Sequence, residues 1–509
     1  MKINQLKAGV VLSYSTQAVH ILSGLLYTPV MLRLLGQSEY GLYQLVYSFV
    51  SYLSLLSLGF GVSYIRFYSR CKMQDDEREI ARLNGMFMLI FTVIAVVCLL
   101  CGGFMIVNAR TIFGEELTIA ELAKTKILLV IMVFNMAATF VDSVFTSIIT
   151  AHEKFFFQRL VKFLRELFNP FLTLPLLILG YGSVAMVAVT TVLTVSGLVV
   201  DAFFCLKKLK TKFCFSSMRF SLFKEMWGFT FFIFINMVVD QINWNVDKVL
   251  LGRMIGTGAV AVYGVAAQLN SLYIALSTAV SGVFVPRVNR MVAENNDNNG
   301  LTLLMIKVGR IQFLILGLII SGYVVFGRVF IPFWAGAGYD KAYVMGLFLM
   351  IPATAPLIQN LGLEIQRAKN KHKTRSVVYL FVALSNIFVS IPCIKQWGAG
   401  GAAVGTAVSL TFGNILFMNY YYHKKMNLDM GLFWKKIFGL LIPTVVAGII
   451  GKVIAGFWQI NGRIWVLIVQ MVIYVGMYAV IQWRFGMNES ERNLIIVPLK
   501  KNGGRLWKK

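Results

Sequence analysis

Apolar positions dominate this chain in runs of roughly 20 residues, each long enough to cross a bilayer as a helix. Polar positions collect in short clusters between the runs. Backbone groups in lipid must find partners within their own segment, so runs of this length predict helices and not barrel strands. Fourteen spans are expected, near 8–32, 41–65, 83–107, 125–150, 160–180, 183–206, 225–250, 258–285, 303–327, 340–364, 375–394, 401–423, 433–457 and 463–483. Every connection between them is short.

Composition agrees with an all-α polytopic membrane protein. Hydrophobic residues make up 58% and charged residues 14%, with a mean hydropathy of +0.73, whereas soluble domains average about 25% charged. The net charge of +26 is spread through short loops, as topology signals are, and does not imply nucleic acid. With a cytoplasmic N-terminus, the inside segments include "KKLKTKF", "RAKNKHKTR", "FWKK" and the tail "LKKNGGRLWKK". That topology puts about 37 of the Lys and Arg inside and about 11 outside. It predicts an even number of spans with both termini cytoplasmic. The basic N-terminus leads into a run too long and too polar within to be a cleaved signal peptide, so a retained first helix is expected. The six cysteines and four histidines form neither a disulfide framework nor a metal spacing.

The chain repeats itself. "LRLLGQSEYGLYQLV" (32–46) faces "GRMIGTGAVAVYGVA" (252–266), pairing Arg33, Gly36 and Tyr43 with Arg253, Gly256 and Tyr263. "GVSYIR" (61–66) faces "GVFVPR" (282–287), and "GYGSVA" (180–185) faces "GAGGAA" (398–403). Three matches in order, about 220 residues apart, make spans 1–6 equivalent to spans 7–12. Six spans is an even number, so both halves enter the membrane in one direction, related by a pseudo-two-fold along the membrane normal. The expected division is a six-helix bundle at 1–206, a basic linker at 207–224, a second bundle at 225–424, two peripheral helices at 425–485 and a basic tail at 486–509. Two bundles with a cavity between them are a frame for alternating access.

Polar residues inside spans are expensive and usually face a cavity. In "VVDQINWNVDKVLLGRMIGTGAVAVYG" (238–264), Asp240, Asn243 and Asp247 continue a narrow stripe that begins at Asn236. Asp240 lies near mid-span and faces either a lumen or a neighbouring helix. Asp247, Lys248 and Arg253 serve either the cavity or an interfacial anchor. Span 1 carries Gln17 and His20, span 2 carries Tyr47, and span 8 carries Asn270. Tyr40 and Tyr43 read better as an interfacial aromatic belt. Arg66 and Arg287, paired by the repeat at inner span ends, suit a pyrophosphate, although the positive-inside rule also places Arg there. Asp142 in span 4 and Glu364 at the end of span 10 are, with Asp240, candidates for binding a coupling ion.

Together "TPVMLRLLGQSEYGLYQLV", "NWNVDKVLLGRMIGTGAVAVYGVAAQL" and "KHKTRSVVYLFVALSNIFVSIPCIKQWGAGGAAVGTAVS" resemble bacterial polysaccharide flippases of the O-antigen and teichoic-acid type. These belong to the multidrug/oligosaccharidyl-lipid/polysaccharide exporter superfamily. The resemblance covers essentially the whole chain. It implies a V-shaped pair of bundles in the bacterial cytoplasmic membrane, with a central cationic cavity. It also implies transfer of undecaprenyl-pyrophosphate-linked oligosaccharide from the inner to the outer leaflet. A monomer is expected, in contact with membrane lipids and working beside a polysaccharide polymerase and chain-length proteins. No nucleotide-binding motif is present, so the energy source expected is H+ or Na+, or consumption of product outside, with no further cofactor. A lipid II flippase and a cation-coupled multidrug antiporter of the same superfamily are the alternatives. An enzyme is not expected, because no catalytic constellation is present.

Overall fold

A computed structural model describes residues 5–74, 76–114, 116–216, 220–294, 297–369, 371–457, 464–494 and 496. The described residues are helical apart from short turns, with no strand among them. In chain order come α1 (Gln5–Leu35), α2 (Gln37–Tyr52), a 3₁₀ turn (Leu53–Ser57) and α3 (Phe60–Met73). Next are α4 (Glu77–Val107), α5 (Ala109–Phe113), α6 (Ile119–Ala151), α7 (Phe155–Ile178) and α8 (Gly182–Phe203). The second half holds α9 (Phe220–Met254), α10 (Thr257–Gly282), α11 (Val285–Glu294), α12 (Asn298–Ala335), α13 (Ala342–Ile358) and α14 (Asn360–Ala368). It ends with α15 (His372–Trp397), α16 (Ala399–Leu410), α17 (Met418–Lys424), α18 (Met430–Phe457) and α19 (Ile464–Ile481).

Local chemistry sets many of the boundaries. Asp76 accepts the N–H groups of Arg78 and Glu79 at 3.0 Å and starts α4. Thr118 and Glu121 cap α6 reciprocally. Gly36 and Gly256, matched by the repeat, both have positive φ, 75° and 111°, as do the matched Gly180 and Gly398 at 87° and 60°. A side chain there would be strained, so the backbone of these turns accounts for the matched glycines.

Among the described residues, ten helices are long and apolar enough to cross a membrane, or eleven if the bent pair α13–α14 is one span. This is a multi-pass helical membrane protein, but the criterion does not establish fourteen crossings. The three expected spans that fall short are those near 41–65, 160–180 and 225–250. The first is not one helix, because Leu58 and Gly59 take left-handed backbone between the 3₁₀ turn and α3. The second carries Lys162, Arg165 and Glu166, and the third carries the Asn236–Asp247 stripe.

The chain forms two compact units. The first comprises Met1–Val265 and Lys373–Thr406. Within it α6 packs on α4 and α8, and α7 lies against α1 and α8. Val239 and Ile242 of α9 pack with Ala383 of α15. The second unit comprises Ala266–His372 and Ala407–Lys509, and α12 is its axis, packed by α13, α18 and α19. The Tyr474 hydroxyl donates to Ser321 at 2.6 Å there, and that of Tyr478 to the Leu314 carbonyl at 3.0 Å. Part of the expected linker (217–219), residues 458–463 of the expected peripheral helices, and 495 and 497–509 of the expected tail lie outside the described residues.

Candidate functional site

Helical spacing lines up polar side chains on three neighbouring helices of the first unit. On α7, Arg159, Lys162, Glu166 and Asn169 recur at three and four residues and share a face. On α8, Thr190, Thr194, Gly197 and Asp201 do the same, and on α6 Asp142 and Thr146 are one turn apart. The helices enclose a cavity of about 500 Å³, whose walls include Thr146, Gln158, Arg159, Lys162, Arg165, Glu166, Asn169, Thr190 and Thr194. Asn169 donates to Thr190 at 3.2 Å, and Gln158 to Thr150 at 2.8 Å. Arg159 and Lys162 are exposed and have no acidic partner within 4 Å among the described residues. Beside them, His20 Nδ1 of α1 stands 3.7 Å from Glu166 Oε2.

Behind this wall lies a buried charge network. Arg165 directs Nη1 and Nη2 to Asp142 Oδ2, both at 3.2 Å, and Nη2 to Asp201 Oδ2 at 3.6 Å. The second oxygens of both aspartates have no hydrogen-bond partner. A second buried carboxylate, Asp247 of α9, accepts hydroxyls from Tyr263 at 2.7 Å, Thr406 at 2.5 Å and Ser390 at 3.3 Å. Its exposure is 2%, so it is no interfacial anchor. The adjacent Lys248 donates to Gln44 at 3.0 Å. Gln241 accepts from Ser51 at 3.1 Å and donates to Ser54 at 3.0 Å, so α9 meets α2 and the 3₁₀ turn along a seam of polar side chains.

Most of the residues singled out from sequence fall in the first unit. His20 reaches the cavity edge through Glu166, and Asp142 lies buried behind it. Gln17 is half-buried on α1, and Tyr47 is half-exposed on α2, stacked on Tyr43 with ring centroids 6.3 Å apart. Asp240 is exposed and Asn243 half-buried on α9, while Arg66 is exposed on α3. The second unit holds Asn270, buried on α10, and Arg287, exposed on α11. It also holds Glu364, ion-paired at 2.8 Å with Arg367 one turn along α14. Sequence reasoning passed over Arg159, Lys162, Arg165, Glu166 and Asp201. The signal was there: three cations and a carboxylate within eight residues of an otherwise apolar run.

Comparison with known proteins gives a coherent picture. Residues 6–292 match the family model described as polysaccharide biosynthesis protein. The "Uncharacterized membrane protein EpsK" of Bacillus subtilis (strain 168) is 22% identical over 497 residues, 94% of each chain. The "Probable flippase AglR" of Haloferax volcanii is 23% identical over 178 residues, 34% of this chain and 37% of that one. The solved lipid II flippase MurJ, in an inward closed conformation, superposes with a TM-score of 0.74 at 16% identity, covering 96% of this chain and 99% of that chain. The expected multi-pass all-helical fold is thus shared with a solved flippase.

Proposed function

The chain belongs to the polysaccharide biosynthesis protein family, and from that premise we propose that it is a flippase for a lipid-linked, anionic oligosaccharide. The cargo class is undecaprenyl-pyrophosphate-linked repeat units, moved from the inner to the outer leaflet of the bacterial cytoplasmic membrane. One observation carries this reading. The cavity on α6–α8 offers two cations without an ion-pair partner within 4 Å, Arg159 and Lys162, beside Glu166, the amides of Gln158 and Asn169 and the hydroxyls of Thr190 and Thr194. Cations grip phosphate oxygens, and amides with hydroxyls match sugar hydroxyls. A pocket for a multidrug cation would reverse the charge.

The transport cycle we propose is alternating access between the two six-span repeats, with both termini cytoplasmic. Arg66, Arg287, Tyr47, Gln17, His20, Asn243 and Asn270 remain candidate headgroup contacts along the path. A cation gradient drives the cycle. Asp247 joins Asp240, Asp142 and Glu364 as a candidate for binding the coupling ion, as a buried carboxylate held by three hydroxyls. The protein performs no covalent chemistry in this reading.

The test is export in cells. Deleting the gene, in a strain without a second exporter of this class, should trap lipid-linked repeat units at the inner leaflet and abolish surface polysaccharide. Normal surface polysaccharide in that strain overturns the reading. Trapped lipid II in its place moves the cargo to the peptidoglycan precursor.

A further inference from the structure

The network behind the cavity has an odd charge count. Two carboxylates converge on one guanidinium, which leaves one negative charge in excess. The side chain of Asp142 is 7% exposed and that of Asp201 3%. Asp142 Oδ1 and Asp201 Oδ1, buried, lack hydrogen-bond partners. Both carboxyl groups converge on the same Arg165 nitrogen, Nη2, at 3.2 and 3.6 Å, and two ionised carboxylates cannot hydrogen-bond to each other because neither donates. An uncompensated buried charge is strongly unfavourable, and like charges sharing a site resist joint ionisation.

The seat is shaped for this arrangement. A Cβ on Gly197 would stand 1.7 Å from Arg165 Nη2 and 1.9 Å from its Cζ, so the guanidinium lies flat on α8 where only glycine leaves room. The charged or titratable groups facing the network are few. Arg165 comes from α7, with Arg159, Lys162 and the His20-paired Glu166 on its cavity side. Cys205, in the π-helical segment Phe204–Lys208 after α8, directs its thiol to the Phe145 carbonyl at 3.6 Å. None of these supplies a second cation at the pair.

We propose that Asp142 and Asp201 together bind one exchangeable proton, delivered from hydronium through the adjoining cavity and held by the carboxyl pair beside Arg165. Its arrival adds one O–H bond and takes the network from a net charge of −1 to neutral. The network behind Arg159 and Lys162 then carries no net charge, so the protonated state is the better receptor for an anionic headgroup. By linkage, a bound headgroup holds the proton more tightly. This last step rests on the flippase reading, whereas the proton site does not.

Infrared spectroscopy of the cargo-free protein in lipid nanodiscs tests the site itself. At neutral pH the wild-type chain should show the C=O band of a protonated carboxyl that shifts on 13C-aspartate labelling and titrates away as a single proton at higher pH. The isosteric variants Asp142→Asn and Asp201→Asn should each lose that band, because the remaining carboxylate then pairs with Arg165 alone. Absence of a titrating aspartate band in the wild type overturns the proposal without folding of either variant being needed. Persistence of the band in both variants overturns it as well. A flippase of different cargo would leave all of these spectra unchanged, so the two readings fail separately.

Discussion

Two arginines, one in each compact unit, show opposite uses of the same side chain. Arg310 of α12 is saturated. It donates to both oxygens of Glu491, at 2.5 and 2.9 Å, and to the carbonyls of Lys436 at 2.6 Å and Gly486 at 2.8 Å. One charge meets one charge, and no nitrogen of Arg310 is among the unpartnered buried atoms. Arg165 meets two carboxylates, leaves its Nε and two Oδ1 atoms unpartnered, and borders a cavity. The first arrangement closes α12, α18 and the C-terminal segment into one block. The second leaves hydrogen-bonding capacity unused at the place where something can enter. A satisfied charge network specifies structure, and an unsatisfied one beside a cavity invites a ligand.

The comparison breaks most directly at Arg310. Arg310→Ala leaves Glu491 buried and unpaired, and should destabilise by about 3–5 kcal/mol. Thermal unfolding in detergent checks this, and a wild-type melting temperature would dissolve the contrast. Replacing the pair together, by Arg310→Met with Glu491→Leu, should recover most of that loss, since no charge is left behind.

Next in size is Gly197→Ala. The added methyl evicts the Arg165 guanidinium from its seat, at about 1–3 kcal/mol of overpacking, and polysaccharide export should fall with it. Lys162→Glu sharpens the contrast from the other side. Melting should move within about 0.5 kcal/mol, because the residue is exposed, while export falls about tenfold, equivalent to 1.4 kcal/mol of anion affinity. A stability loss without an export defect would make the cavity wall merely structural.

The smallest effect is a reference titration at the C-terminal end of α6. Burial holds the His152 imidazole below its ordinary value, against the opposing pull of the Ile148 carbonyl. The neutral ring accepts the Tyr68 hydroxyl at 3.0 Å through Nε2 and donates from Nδ1 to Ile148 at 2.9 Å. Its contribution to stability is therefore complete above the unfolded value near pH 6.5 and is lost as pH falls through the lower folded value. His152→Gln should flatten that acid limb in a pH series of melting curves.

Much of this protein was legible in the residue order, for a physical reason. Lipid forces long apolar helices, and the repeat shows in turn glycines whose positive φ excludes other side chains. The helical class, the internal repeat and the polar stripe of α9 all follow from such one-dimensional constraints. Partnership does not. Asp142, Arg165 and Asp201 lie on three helices, and only packing decides that two acids share one cation. Asp247 reads equally as a cavity group or an anchor at a span end until Ser390 and Thr406, far along the chain, are folded onto it. Arg159 and Lys162 look like topology charges until three helices enclose a space beside them. Periodicity along one helix tells which residues share a face, while which face meets another, and whether a cavity remains between them, is settled only by close packing in three dimensions.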